Sequence, residues 1–164
     1  MSARGCVLAP LCVLALALAP TTVAAYATFE IDVIDGDGEG FNDPTPVDPV
    51  GGNDATTVGA QRLAVLEHAA SLWGALLDSE VPIVIEASFD ELGCTEQGGV
   101  AAVGGTTFLL NGIDGDGGDP TLAYGSALAD RLMGEDQIAN QPDVAVTFNV
   151  SLGSVDCPTW GWYY

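Results

Sequence analysis

The 164-residue sequence contains no lysine, three arginines and a single histidine. Each shortage closes off a kind of chemistry. A basic patch for nucleic acid or for an anionic membrane surface needs clustered cations, and with Arg4 in a leader segment only Arg62 and Arg131 remain. A phosphate-cradling glycine loop needs a lysine to complete it, so that class is excluded as well. A helical zinc-protease site needs two histidines one turn apart with a glutamate between them, and serine or cysteine triads need an imidazole as base. His68, in EHAAS, stands alone. Cysteine is equally sparse: Cys6 and Cys12 precede residue 25, which leaves Cys94 and Cys157.

Acid is what the chain has in excess. Its 23 aspartates and glutamates give a formal net charge of −20. Two readings stay open: scattered carboxylates that keep a surface hydrated in a cation-rich medium, or carboxylates grouped to bind divalent cations. With 48% apolar residues the composition suits one domain with an ordinary core.

Residues 1–25 read as a signal peptide. Arg4 supplies a positive start, VLAPLCVLALALAP is an apolar run of the right length, and Val23-Ala24-Ala25 places small residues for cleavage after Ala25. Pro10 and Pro20 interrupt a run too short to span a bilayer, and no small-residue box marks Cys12 for lipidation. The mature protein, 26–164, is therefore expected to be secreted, and an even pair of cysteines in an exported chain favours a disulfide between Cys94 and Cys157.

Organisation centres on residues 56–89, where a helical period runs into a strand period. At about 100° per residue, Leu63, Leu66, Ala70, Trp73 and Leu77 share one stripe, while Gln61, His68, Ser71 and Asp78 fall opposite. Thr56 or Thr57 is placed to cap this helix. Burying its leucines and Trp73 against a sheet would contribute on the order of 6–12 kcal/mol as an upper bound. In VPIVIEASF, Ile83, Ile85, Ala87 and Phe89 alternate with Val84, Glu86 and Ser88, the period of a strand. ATFEIDVI and DVAVTFNVS alternate in the same way and predict strands over 27–34 and 143–151. A further strand is expected over 106–110, and a second helix from Pro120 to Met133, capped by Asp119 and ended by Gly134. The expected class is α+β: a small twisted mixed sheet packed by one long and one shorter helix.

Two acidic glycine loops are the metal candidates. Asp35, Asp37 and Glu39 are spaced like the opening of a helix-loop-helix calcium loop, since alternate carboxylates around flexible glycines can converge on one Ca²⁺. Its twelfth position is Pro46, where a bidentate glutamate is required. Asp114, Asp116 and Asp119 form a similar, weaker set.

Taken in order, GEGFNDPTPVDPVGG, TTVGAQRLAVLEHAASLWGALLDSEVPIVIEASFDELGC, FNVSLG and the closing C-x-x-x-GWYY resemble a family of secreted bacterial zinc-metallopeptidase-like proteins. The similarity spans about residues 28–164. It implies the first half of a zincin-type catalytic domain, with the zinc-binding helix HELGHGLGF following the WYY segment and, in some members, an inserted protease-associated domain beyond it. No residue of this chain matches a zinc ligand or the catalytic glutamate, so the resemblance implies a segment that is inactive alone and whose partner is the missing C-terminal half. Cys94 and Cys157 match the family's cysteine positions. The competing reading is a complete small secreted module, binding calcium or serving adhesion.

Overall fold

The computed structural model describes residues 26–95, 98–154, 157 and 161–164. The leader and its expected cleavage point lie outside the described residues, as does Trp160. The alternating FEIDV makes β1 (Phe29–Val33), and the alternating IVIEASFD makes β2 (Ile83–Asp90). Between them runs α1 (Val58–Gly74), whose first free amides are capped by Thr57 through a hydrogen bond from Ala60 N. Two short ribbons follow: β3 (Cys94–Thr95) with β4 (Gly98–Gly99), and β6 (Leu109–Asn111) with β7 (Ala123–Gly125). β5 (Ala102–Thr106) lies between them in sequence, and α2 (Ser126–Met133) and β8 (Val144–Asn149) complete the described elements.

The main sheet has the order β1-β2-β8-β5, with β1, β2 and β8 parallel and β5 antiparallel at the edge. Its register aligns Ile31, Ile85 and Val144, then Val33, Ala87 and Val146, on one face. The fold is α+β, as the alternating and helical periods imply. Cys94 and Cys157 are joined with Cα atoms 5.8 Å apart, which pins the β3–β4 ribbon to the chain beyond β8.

The expectations for the helix face are corrected first. Trp73 is 60% exposed and Leu77 40% exposed, so they are not core residues among the described ones. The helix meets the sheet through small residues, Ala70 and Gly74. A side chain at Gly74 would collide with the Ala27 carbonyl, and one at Gly59 with the Phe41 carbonyl under the following loop. Gln61, expected outside, is only 3% exposed because residues 48–55 fold over it: its amide donates to the Asp48 and Ala55 carbonyls at 2.9 and 3.0 Å. His68 is exposed, as its wheel position predicts.

The expected strand at 106–110 divides into β5 and β6, because Ala102-Val103-Gly104-Gly105-Thr106 pairs with β8 although its glycines hide any alternation. The second helix begins at Ser126 rather than Pro120. Asp119 instead closes a local turn, accepting from Thr121 N and Oγ, while residues 123–125 extend into β7 and Gly125 becomes the N-cap. Gly134 does end the helix, in the left-handed conformation at φ 72°. Ala129 and Leu132 of α2 pack with Ile113, Leu110 and Tyr124 into a small core at the amino ends of the parallel strands.

Candidate functional site

The carboxyl ends of β1, β2 and β8 converge on one cluster, the position where open α/β sheets hold ligands. Phe89 and Phe148 are register partners on adjacent strands and stack at 5.2 Å between ring centroids. Phe41 and Trp162 stand edge-on to both, at 5.0–6.0 Å. Arg62 reaches over them from α1: its guanidinium lies 4.2 Å from the Phe89 ring centroid, donates to the Gly40 carbonyl at 2.7 Å and to Tyr164 Oη at 3.1 Å, and has Asp43 at 4.0 Å. Hydrogen bonds from Thr45 hold the Asp43 carboxyl below the usual range, with the Arg62 charge adding to the effect. Val65, Leu66 and Ala69 of α1 close a cavity of about 130 Å³ over the rings. The arrangement is a cation-capped aromatic floor that Tyr163 and Tyr164 also line.

Asn149, at the end of β8, is fully buried and organises this end of the sheet. Its Nδ2 donates to the Val100 and Leu92 carbonyls, its Oδ1 accepts from Ser151 N and Leu92 N, and its own carbonyl accepts from the Trp162 indole.

Asp35 belongs to the same architecture. Its Oδ2 accepts from Phe41 N at 2.6 Å and its Oδ1 from Phe89 N at 2.9 Å, so both oxygens tie the loop to β2. Gly40, at φ 55°, lies so close to this carboxylate that any side chain there would overlap it. Asp37 is exposed, and Glu39 folds back to accept from Gly36 N. The structure does not bring these three carboxylates together. Asp116 faces Arg131 at 3.5 Å, Asp114 is exposed, and Asp119 is held below the usual carboxylate range by its Thr121 hydrogen bonds. Among the described residues no group of three or more His, Cys, Asp or Glu side chains could hold a metal ion.

A carboxylate pair that sequence reasoning missed lies at the amino ends of the strands. Asp130 of α2 and Asp143 before β8 are both buried and hydrogen-bonded to one another. Burial pushes the Asp130 carboxyl up to about 6, and the charges of Asp143 and Asp136 add to this against a hydrogen bond from Gln137 N. Asp143 accepts from Val84 N, and its carbonyl accepts from Thr107 N and Ser126 Oγ, so the pair ties α2, β2 and β8 together. The cleft beside them holds about 160 Å³ and is lined by Glu30, Asp136 and Gln141 as well. Asp143 is engaged in closing the sheet through its bonds to Val84, Thr107 and Ser126.

No family model, no curated protein and no solved structure matches this chain. No helix among the described residues is long and apolar enough to cross a membrane, and the disulfide is compatible with an extracellular setting.

Proposed function

We propose that this chain is the N-terminal portion of a secreted zinc-metallopeptidase-like catalytic domain, providing its sheet and backing helix but not its zinc site. The supporting observation is a sheet face clothed over only half its width. α1 lies on the β1 side, whereas β5 is exposed along its whole length and Val144 and Val146 of β8 are half-exposed on the face that α1 shares. On the helical wheel Val65, Ala69 and Trp73 fall on the flank of α1 that carries Arg62, and Val65 and Ala69 line the cavity beside Phe148 of β8. Trp73 on that flank is more than half exposed. Apolar flank and apolar strand face together form a trough of the kind that a second amphipathic helix fills. On this reading, an element of the remaining domain would cover Trp73.

The described residues do not fit a zinc site, since His68 is the sole imidazole of the sequence, stands exposed on α1 and belongs to no group of three metal-ligating side chains among the described residues. Zinc chemistry is assigned to the complementary half. The calcium-module reading finds no support in the placement of Asp35, Asp37 and Glu39. The test has two arms: reading the gene beyond the Tyr164 codon, and assaying the full chain on casein with added Zn²⁺ beside a chelated control. A downstream HELGHGLGF-type segment, with no chelator-sensitive cleavage by the chain alone, is the expected result. A stop codon directly after Tyr164, or cleavage that a chelator abolishes, overturns the proposal.

A further inference from the structure

The outer edge of β1 is unpaired among the described residues. Ile83 N donates to the Thr28 carbonyl and Ile34 N to the Ala87 carbonyl, which fixes the phase of the parallel ladder. Thr28, Glu30, Asp32 and Ile34 therefore bond β2, and the N–H and C=O groups of Phe29, Ile31 and Val33 face outward. Among the described residues no strand pairs with them. Above this edge, Phe29 and Ile31 form one wall of a groove of about 550 Å³ whose other wall is Ala70, Ser71 and Gly74 of α1, with Glu67 also lining it. The small helix residues leave room for side chains of an added strand.

The opposite sheet face is acidic. Glu30 and Asp32 are exposed, and Asp32 lies directly across from Glu86 in register, a like-charge pair that costs stability. The cations of the described chain are engaged elsewhere: Arg62 with Asp43 and the aromatic floor, Arg131 with Asp78 and Asp116. A second copy of this chain would set Glu30 and Asp32 against their own equivalents at a net charge of −20, so self-pairing is disfavoured. We infer that the β1 edge binds an extended protein segment that alternates apolar residues, directed at α1, with lysine or arginine, directed at Glu30 and Asp32. Backbone pairing supplies affinity, and the groove and acidic face supply selectivity. The inference is independent of the trough beside β8, which lies at the other flank of α1.

The experiment uses the isotope-labelled full chain with its disulfide intact and three capped peptides: alternating valine and lysine, alternating valine and glutamate, and a block peptide with the same lysines and valines segregated. Expected is saturable binding of the lysine alternate, with hydrogen-exchange protection appearing at the Phe29, Ile31 and Val33 amides. The double substitution Glu30→Lys and Asp32→Lys leaves the chain strongly acidic, so non-specific attraction persists, yet it should weaken the lysine alternate about tenfold and admit the glutamate alternate. Equal binding of alternate and block peptides, protection at β5 instead, or indifference to the double substitution overturns the inference. Protection of these amides in the free chain would also overturn it, because it would show the edge already occupied by the chain itself or by a second copy.

Discussion

Replacing Asp130 with asparagine tests the energetics of the buried acid pair. Asp130 is 4% exposed and packed against Asp143 with no cation turned toward it, since the neighbouring Arg131 points to Asp78 and Asp116. Its carboxyl rises from an ordinary 3.8 to about 6. At about 1.4 kcal/mol per pH unit, this corresponds to roughly 3 kcal/mol between the protonated and ionised states. The native chain holds this proton more tightly than the unfolded chain, so the stabilisation is fully present below pH 3.8, declines as pH rises, and is gone above about 6. Asparagine keeps an oxygen for the Gln137 amide and offers Asp143 an NH₂ in place of a second negative charge. In urea titrations at pH 7.5, Asp130→Asn should exceed the parent by about 2–3 kcal/mol, and the difference should shrink toward zero at pH 4. Using the difference between the two proteins cancels the pH response of the other carboxylates. A variant no more stable than the parent at pH 7.5, or a difference that does not change with pH, would refute the assignment of a carboxyl raised chiefly by burial at Asp130.

Reducing the disulfide, which closes a loop of sequence separation 63, should lower stability by about 4 kcal/mol in the chain-entropy model, read as the shift in urea unfolding free energy with and without a phosphine reductant. Trp73→Ala should cost under about 1 kcal/mol in the isolated chain, because the indole is mostly in water; a loss of 3 kcal/mol or more would place it in a core. Asn149→Ala should cost about 2–4 kcal/mol, since the Leu92 and Val100 carbonyls and the Leu92 and Ser151 amides lose their buried partner. Accelerated amide exchange at Leu92 and Ser151 would accompany it.

The strands β1, β2 and β8 and the helix α1 were legible because each has a period long enough to show which face is apolar. Residues 102–125 were not. Gly104 and Gly105 carry no side chain to mark a face, and three-residue strands such as β6 and β7 are shorter than two periods of the pattern that defines them. Asp119-Pro120 looks like a helix start, but Asp119 serves equally well in the two-residue turn it actually makes. The α1 stripe was placed within a fraction of a turn, yet its contact residues were misjudged. A wheel weighted by hydrophobicity favours Trp73, while close approach of two backbones favours Gly74 and Ala70. At the site, Asp35 was visible only as a ligand candidate, because sequence cannot show that Phe41 and Phe89 amides will meet both of its oxygens. Asn149 and the partners of Arg62 were invisible for a like reason, since each acquires its role from residues tens of positions away, and the Asp130–Asp143 pair forms only once the turn after α2 brings the two together. The scarcity of cations was a usable signal for Arg62, since a lone arginine on a helix in a strongly acidic chain has few places to be indifferent.

The position of β8 governs how the molecule can be made. It is the last described strand in sequence, yet it lies between β2 and β5 and supplies the pairing edge of each. Until residues 144–149 are available, β2 has a bare edge and β5 has no sheet to join. The sheet therefore cannot assemble progressively from the N-terminus as the polypeptide emerges. Its halves must wait for a long-range insertion, with the loop-closure entropy of more than fifty residues settled in one step. During that interval the exposed β2 edge is the segment most open to pairing with the wrong strand.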